Sequence, residues 1–188
     1  MAWALTLGLQ IWPTEKNIPT IKHWQLRKSE SDMQSWIKMQ ENHSLFFDGA
    51  TKSNPGKAGA GGIVLNPTGE KVQSFAWGLG YASNIQAEAL ALFQGLQSLK
   101  DLNIKEANII GDSQIIINSM ISNSPVTDLK LARMITRIKG LERHFQKLRY
   151  YHVLRMHNKE ADSEANKAVL LHVGTKLKDG KETWEPIP

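Results

Sequence analysis

The sharpest break in the hydrophobic pattern falls between Phe47 and Asp48. An apolar run, Leu45-Phe46-Phe47, delivers a carboxylate, then Gly49, then a polar turn ending Asn54-Pro55-Gly56 and a glycine-spaced apolar segment. Leu45 to Ala50 reads as a first strand and Ala58 to Leu65 as a second. Asn66-Pro67-Thr68-Gly69 is a hairpin turn into a third, Lys71 to Gly78. Ser83-Asn84 supplies an N-cap. A helix is expected from Ile85 to Leu102, where Ala89, Leu92, Phe93, Leu96 and Leu99 recur at helical spacing. Ala107 to Gly111 is a short apolar strand ending at Asp112, and Ser113 opens a helix carrying Ile115, Ile116, Ile117 and Met120. After a loop at Ser122 to Pro125, Thr127 is expected to cap a long helix reaching Leu148, with Leu131, Met134, Ile135, Ile138, Leu141 and Phe145 on one face. Arg149 to Leu154 reads as a fifth strand. A polar turn, Arg155 to Lys159, leads into a last helix containing Asp162, Ala165, Ala168, Val169 and Leu171. The element order is β-β-β-α-β-α-α-β-α, an α/β domain that begins with an antiparallel meander.

The flanks are less regular. Trp3, Leu5, Leu7, Leu9, Ile11 and Trp12 show the near-alternation of a half-buried strand, and Pro13 and Pro19 interrupt the chain beyond it. Ser29 to Met39 reads as a short helix with Met33, Trp36 and Ile37 on one face. Trp3, Trp12, Trp24 and Trp36 suit either packing on the next domain or a larger protein. Lys176 to Pro188 reads as a loose tail. The expected division is an extension or linker at 1–43, a domain at 44–173 and a C-terminal tail at 174–188.

Composition narrows the classes. With 41% hydrophobic and 22% charged residues, the chain has globular and not disordered values. Its net charge of +5 favours a polyanionic partner. Lys and Arg fill the non-apolar positions of the long helix, as a solvated face or as a contact surface. There is no cysteine, so thiolate nucleophiles, disulfides and cysteine-based zinc sites are excluded. No apolar run approaches the ~20 residues of a membrane span, and Met1 to Trp12 lacks the basic start of a signal peptide. A soluble intracellular protein of nucleus or cytoplasm, and a monomer, is expected.

Four carboxylates fall at element ends or first turns: Asp48, Glu88, Asp112 and Asp162. Each alone reads as a cap, a turn or a salt bridge, and Glu88 either complements the helix dipole or turns toward the sheet. Gathered at one end of the sheet they would repel one another unless a cation neutralised them. All-oxygen ligation selects a hard divalent metal, Mg²⁺ or Mn²⁺. Two such ions a few ångströms apart suit phosphoryl transfer.

The segments FDGATKSNPGKAGAGGIV (47–64), SNIQAEALALFQGL (83–96), IIGDSQIIINSM (109–120) and LRMHNKEADSEANKA (154–168) together resemble the ribonuclease H family. They are most similar to the reverse-transcriptase-associated form of plant retroelements, in the family's order and spacing over roughly residues 44–173. The resemblance implies a five-stranded mixed sheet flanked by helices. It implies hydrolysis of the RNA strand of an RNA–DNA hybrid with two Mg²⁺ ions, Mn²⁺ able to substitute, leaving a 5′-phosphate and a 3′-hydroxyl. Asp48, Glu88, Asp112 and Asp162 match the catalytic, metal-binding carboxylates. Gly49, Ser53, Asn54 and Gly56 match the segment that approaches the RNA backbone and its 2′-hydroxyls. Asn84 matches the first of two asparagines before the catalytic Glu. Ser113 is a donor to substrate or a helix cap.

Three departures accompany the resemblance. Ile85 stands where a second Asn is common. A short RMHNKEAD segment replaces the long loop with a mobile His, so Arg155, and after it His157, is the candidate to neutralise developing charge. The loop at 122–127 is too short for a basic handle helix, so hybrid binding would rely on the groove, the basic long helix or a tethered partner domain of a larger polyprotein. The alternative reading is a weak or inactive domesticated domain that binds nucleic acid or a protein partner.

Overall fold

Both faces of strand β1 (His43–Thr51) are covered by helices, which is why Leu45, Phe46 and Phe47 are apolar in succession and do not alternate with polar residues. The computed structural model describes residues 30–122 and 125–188. β1 pairs antiparallel with β2 (Gly56–Leu65) and parallel with β4 (Glu106–Gly111). β3 (Lys71–Ala82) continues the meander beyond β2, and β5 (Lys147–His152) lies parallel to β4 on the far side. The sheet is therefore mixed, as expected.

Alternation along β1 sends Leu45 and Phe47 to one face and Phe46 to the other. On the first face lie α2 (Asn84–Asp101), α3 (Gln114–Ile121) and α4 (Leu129–Leu141), whose Leu92, Leu96, Ile116 and Ile138 close the main core. On the second face lie α1 (Glu30–Lys38) and α5 (Lys159–Val169). Met33 and Ile37 of α1 pack with Phe46, Ile63, Leu65 and Ile110, and Trp36 meets Tyr151 edge-on at 5.0 Å. The Ala-Gly-Ala-Gly-Gly run of β2 has a packing reason. A Cβ on Gly59 or Gly61 would collide with the α5 backbone at Val169 or Ala165, so the missing side chains let α5 lie directly on the strand.

Turn and cap chemistry fixes the connections. Gly69 takes a left-handed φ of 88° in the hairpin turn, where the Asn66 side chain accepts from Thr68 N and Glu70 N. Ser83 caps α2 in a capping box with Gln86.

Three expectations are corrected. The C-terminal stretch is not a loose tail. β6 (Thr175–Lys178) pairs antiparallel with β3 and β7 (Lys181–Trp184) with β6, giving the sheet seven strands in the order β5-β4-β1-β2-β3-β6-β7. The turn between them, Asp179-Gly180, has two left-handed residues (φ 49° and 78°), a tight hairpin's requirement. Trp77 Nε1 donates to Glu185 O at 3.3 Å, tying the hairpin's end back to the core. The long helix ends at Leu141, not Leu148. One 3₁₀ turn, Glu142–His144, succeeds it, and Phe145 and Leu148 continue the apolar spacing from outside the helix. Buried Tyr150 donates to Glu142 Oε1 at 2.7 Å, which holds this turn against β5. The cap of α4 is Asp128, accepting from Leu131 N at 2.7 Å, and not Thr127. The alternating run from Trp3 to Trp12, and Trp24, lie outside the described residues.

Candidate active site

β1 and β4 run parallel, so their C-terminal ends open at the same edge, and each carries a carboxylate there: Asp48 in β1 and Asp112 just after β4. The N-terminal half of α2 crosses this edge and lowers Glu88 toward them. Ligand oxygens of Asp48, Glu88 and Asp112 lie within 4.8 Å of one another. Of the two readings of Glu88, the one turned toward the sheet holds. Asp48 is 3% and Glu88 6% exposed.

The approach of Glu88 depends on Gly49. A Cβ there would collide with the backbone of Ala87 and Glu88, so only a glycine lets the helix sit directly above β1. Gly49 N also donates to Asp48 Oδ1 at 2.9 Å.

Confinement of three acids has an electrostatic consequence. Burial, then the charge of Asp112, raises the Asp48 pKa to about 7, with Asp162 adding to the push and a hydrogen bond from Glu88 offsetting part of it. Burial, then the charges of Asp48 and Asp112, holds the Glu88 carboxyl well above its ordinary range. Glu88 Oε2 is buried with no hydrogen-bond partner. A carboxylate grouped with two further carboxylates and left with one unpartnered oxygen fits a hard divalent cation, which would supply the missing contact and the missing charge.

Asp162, in the first turn of α5, adjoins the three from the Asp48 side, its carboxyl in hydrogen-bond contact with Asp48. Its Oδ1 receives Arg155 Nη2 at 3.3 Å. A cavity of about 390 Å³ spans the edge, lined by Asp48, Gly49, Glu88 and Asp112 together with Asn84, Ser113 and Arg155. Asn84 N donates to Asn54 Oδ1 at 2.9 Å, fastening the turn after β1 to the first residue of α2. Within that turn Ser53 Oγ donates to Pro55 O at 3.1 Å, and Gly56 leaves room that a Cβ would take from Ser53. Ser113 caps α3, its side chain accepting from Ile116 N at 3.5 Å. His157 lines a different, smaller cavity of about 50 Å³, between α1 and the start of α5.

Sequence reasoning missed Asn158. This residue is 1% exposed. Its Nδ2 donates to Phe47 O at 2.9 Å and lies 3.3 Å from Asp112 Oδ1, so one side chain joins the strand before Asp48 to the third acid. Its position supplied a signal: an Asn directly before a helix should cap it, yet Asn158 makes no side-chain cap. His152 carries no such signal, and its Nε2 lies 3.1 Å from Asp112 O.

Comparison with known proteins agrees with this architecture. A family described as "Reverse transcriptase-like" matches residues 46–168. Ribonuclease HI of Halobacterium salinarum is 32% identical over 124 residues, 66% of this chain and 62% of that protein, so this chain spans less than two thirds of the relative's length. The crystal structure of RNase H1 from the same archaeon superposes with a TM-score of 0.66 at 31% identity, covering 68% of this chain and 97% of that one. The N-terminal RNase H domain of a Mycobacterium tuberculosis protein gives 0.66 at 27% identity, covering 69% and 94%. A ribonuclease H1 isolated from compost, solved in complex with an RNA/DNA hybrid, gives 0.65 at 24% identity over 68% and 96%, a likeness that bears on the fold. An α/β sheet with this order, acids at the shared edge and a family match over residues 46–168 place the chain in the reverse transcriptase-like family, with the ribonuclease H-like fold.

Proposed function

We propose that this protein is a metal-dependent endonuclease that hydrolyses the RNA strand of RNA–DNA hybrids. The observation that carries the reading is the convergence of Asp48, Glu88 and Asp112 within 4.8 Å, with Glu88 Oε2 buried and unpartnered. Support comes from relatives named for ribonuclease H, among them an archaeal enzyme at 32% identity. Asp48, Glu88 and Asp112, with Asp162 beside them, would hold two Mg²⁺ ions, or Mn²⁺ in their place. Bound there, the ions would neutralise the phosphodiester and increase the acidity of an attacking water.

The chain's own contribution is placement. Gly49 sets Glu88 over Asp48, and Asn158 orients Asp112. Since protons on Asp48 and Glu88 compete with a cation, the site is primed as those protons leave, around neutral pH for Asp48. Asn54 and Asn84 are joined, so a 2′-hydroxyl read by this turn is read in fixed relation to Glu88. Arg155 at the cavity wall would meet the scissile phosphate's charge. The products would be a 5′-phosphate and a 3′-hydroxyl. We also propose that the chain is of the reverse-transcriptase-associated form of plant retroelements, a reading supported by the four motifs; a putative ribonuclease H protein of Arabidopsis thaliana, 29% identical over 140 residues, supports its plant kinship alone.

The test is cleavage of a labelled hybrid with Mg²⁺ or Mn²⁺, beside Asp112→Asn. Wild type should cut the RNA strand and the variant should not. Binding of the hybrid without cutting at any concentration of either ion would replace the enzyme with a binding module.

A further inference from the structure

The four acids are not equivalent: Asp162 touches the group through Asp48 alone. Asp48, Glu88 and Asp112 offer their oxygens to one another's neighbourhood, while Asp162 is engaged by Arg155 at 3.3 Å. Arg155 opens the single 3₁₀ turn before α5, four residues after the Tyr151 that supports α1. Its guanidinium lies on the wall of the cavity that the three acids line, and it is the one base among the described lining residues. The hydrogen bond to Asp162, and then that acid's charge, stabilises its cationic form, and the charges of Asp48 and Asp112 reach it as well. Asp162 is therefore shared: its carboxyl adjoins Asp48 and also carries the Arg155 guanidinium.

We propose that Arg155 is a resident counter-ion: in the free protein it holds Asp162, so that only the Asp48–Glu88–Asp112 cluster takes up a divalent cation. A second cation gains Asp162 when a phosphate of the bound strand draws Arg155 away. This rests on the metal-dependent reading above and adds an order of events to it. The argument is competition. A guanidinium and a divalent cation cannot both make close use of one carboxylate, and their like charges repel at short range. Exchange is easy in the other direction, because the Arg155 side chain is 78% exposed and exposed ion pairs are weak and screened. A phosphate offers that guanidinium a fork-matched, doubly bonded partner that a single 3.3 Å contact does not. Substrate would thus complete the metal site that acts on it.

Calorimetric titration of Mn²⁺ into the full chain without nucleic acid tests this, with wild type, Arg155→Ala and Arg155→Lys compared. Mn²⁺ electron paramagnetic resonance gives an independent count of bound ions. Wild type should bind one ion per chain, with any second ion far weaker. Arg155→Ala should tighten the second event by about tenfold and leave the first nearly unchanged, and Arg155→Lys should keep the wild-type pattern. Two events of similar affinity in wild type, or identical isotherms for wild type and Arg155→Ala, would overturn the counter-ion role while leaving the metal site standing. No uptake by any of the three proteins would overturn the metal-dependent reading itself, and the counter-ion with it.

Discussion

Asn158 holds Asp112 from a residue 46 positions away, its Nδ2 3.3 Å from the carboxylate while the same nitrogen donates to Phe47 O. The acid on the β4 side is thereby held to the strand that carries Asp48. Asn158→Ala should lower both Mn²⁺ affinity and kcat by about 10- to 100-fold, the usual cost of removing a residue that orients a ligand. It should also destabilise the fold by roughly 1–3 kcal/mol, because Phe47 O is left buried and unpaired. Calorimetry, hybrid cleavage and thermal melts measure the three. Unchanged metal affinity would mean that Asp112 finds its place without Asn158.

Gly49→Ala probes the distance between strand and helix. The new methyl would overlap the backbone at Ala87 and Glu88, and neither can give way without moving α2. Overpacking of this kind typically costs about 1–3 kcal/mol. The expected signature is a loss of metal binding larger than the loss of stability would explain, since Glu88 moves with its helix. Equal Mn²⁺ isotherms for the folded variant and wild type would show that the helix does not set the site.

The acid cluster makes stability depend on pH in an unusual direction. An exposed Asp titrates near 3.8, whereas Asp48 in the fold titrates at about 7. Between these values the folded state keeps a proton that the unfolded chain releases. The stabilising contribution is therefore full below about pH 4 and is lost as pH rises through about 7. At roughly 1.4 kcal/mol per unit, the loss is on the order of 4 kcal/mol. Metal-free protein should melt lower at pH 8 than at pH 5, Asp48→Asn should flatten that slope, and Mg²⁺ should restore wild type at pH 8. A metal-free melting temperature that rises from pH 5 to pH 8, with the same slope in Asp48→Asn, would contradict the confinement of these charges.

How much of this could be read from the chain depends on the range of the interactions. The meander and its turn were legible because Asn66 and Gly69 act within a few residues of themselves. Ser83 was legible for the same reason. The carboxylates stood out because each interrupts an apolar pattern at the end of an element. Asn158 did not, since its partner Phe47 lies 111 residues away and only the closed sheet brings the two together. The C-terminal hairpin was missed because its strands are four residues each, rich in Lys and at most half-buried, so burial leaves no alternation to read. The Asp179-Gly180 pair was its one local mark. The end of α4 was misplaced because Phe145 and Leu148 keep a helical spacing by chance of their shared core.

α1 lies before residues 46–168, the stretch matched to the family, yet it packs on the second sheet face. Ile37 is 2% exposed against Phe46, Ile63 and Leu65. Ile37→Ala should cost about 2–4 kcal/mol through lost burial and the cavity left behind, and so lower Tm by several degrees, at roughly 2–4 °C per kcal/mol for a chain of this size. The Asn158 bonds to Phe47 and Asp112 do not pass through α1, so kcat measured well below the melt should stay within about twofold of wild type. Differential scanning calorimetry with hybrid cleavage at 15 °C, roughly 30 °C below an ordinary mesophile melt, separates the two. An unshifted Tm would show that α1 does not dock on the sheet, and a large fall in kcat in the folded variant would make α1 part of the site's support.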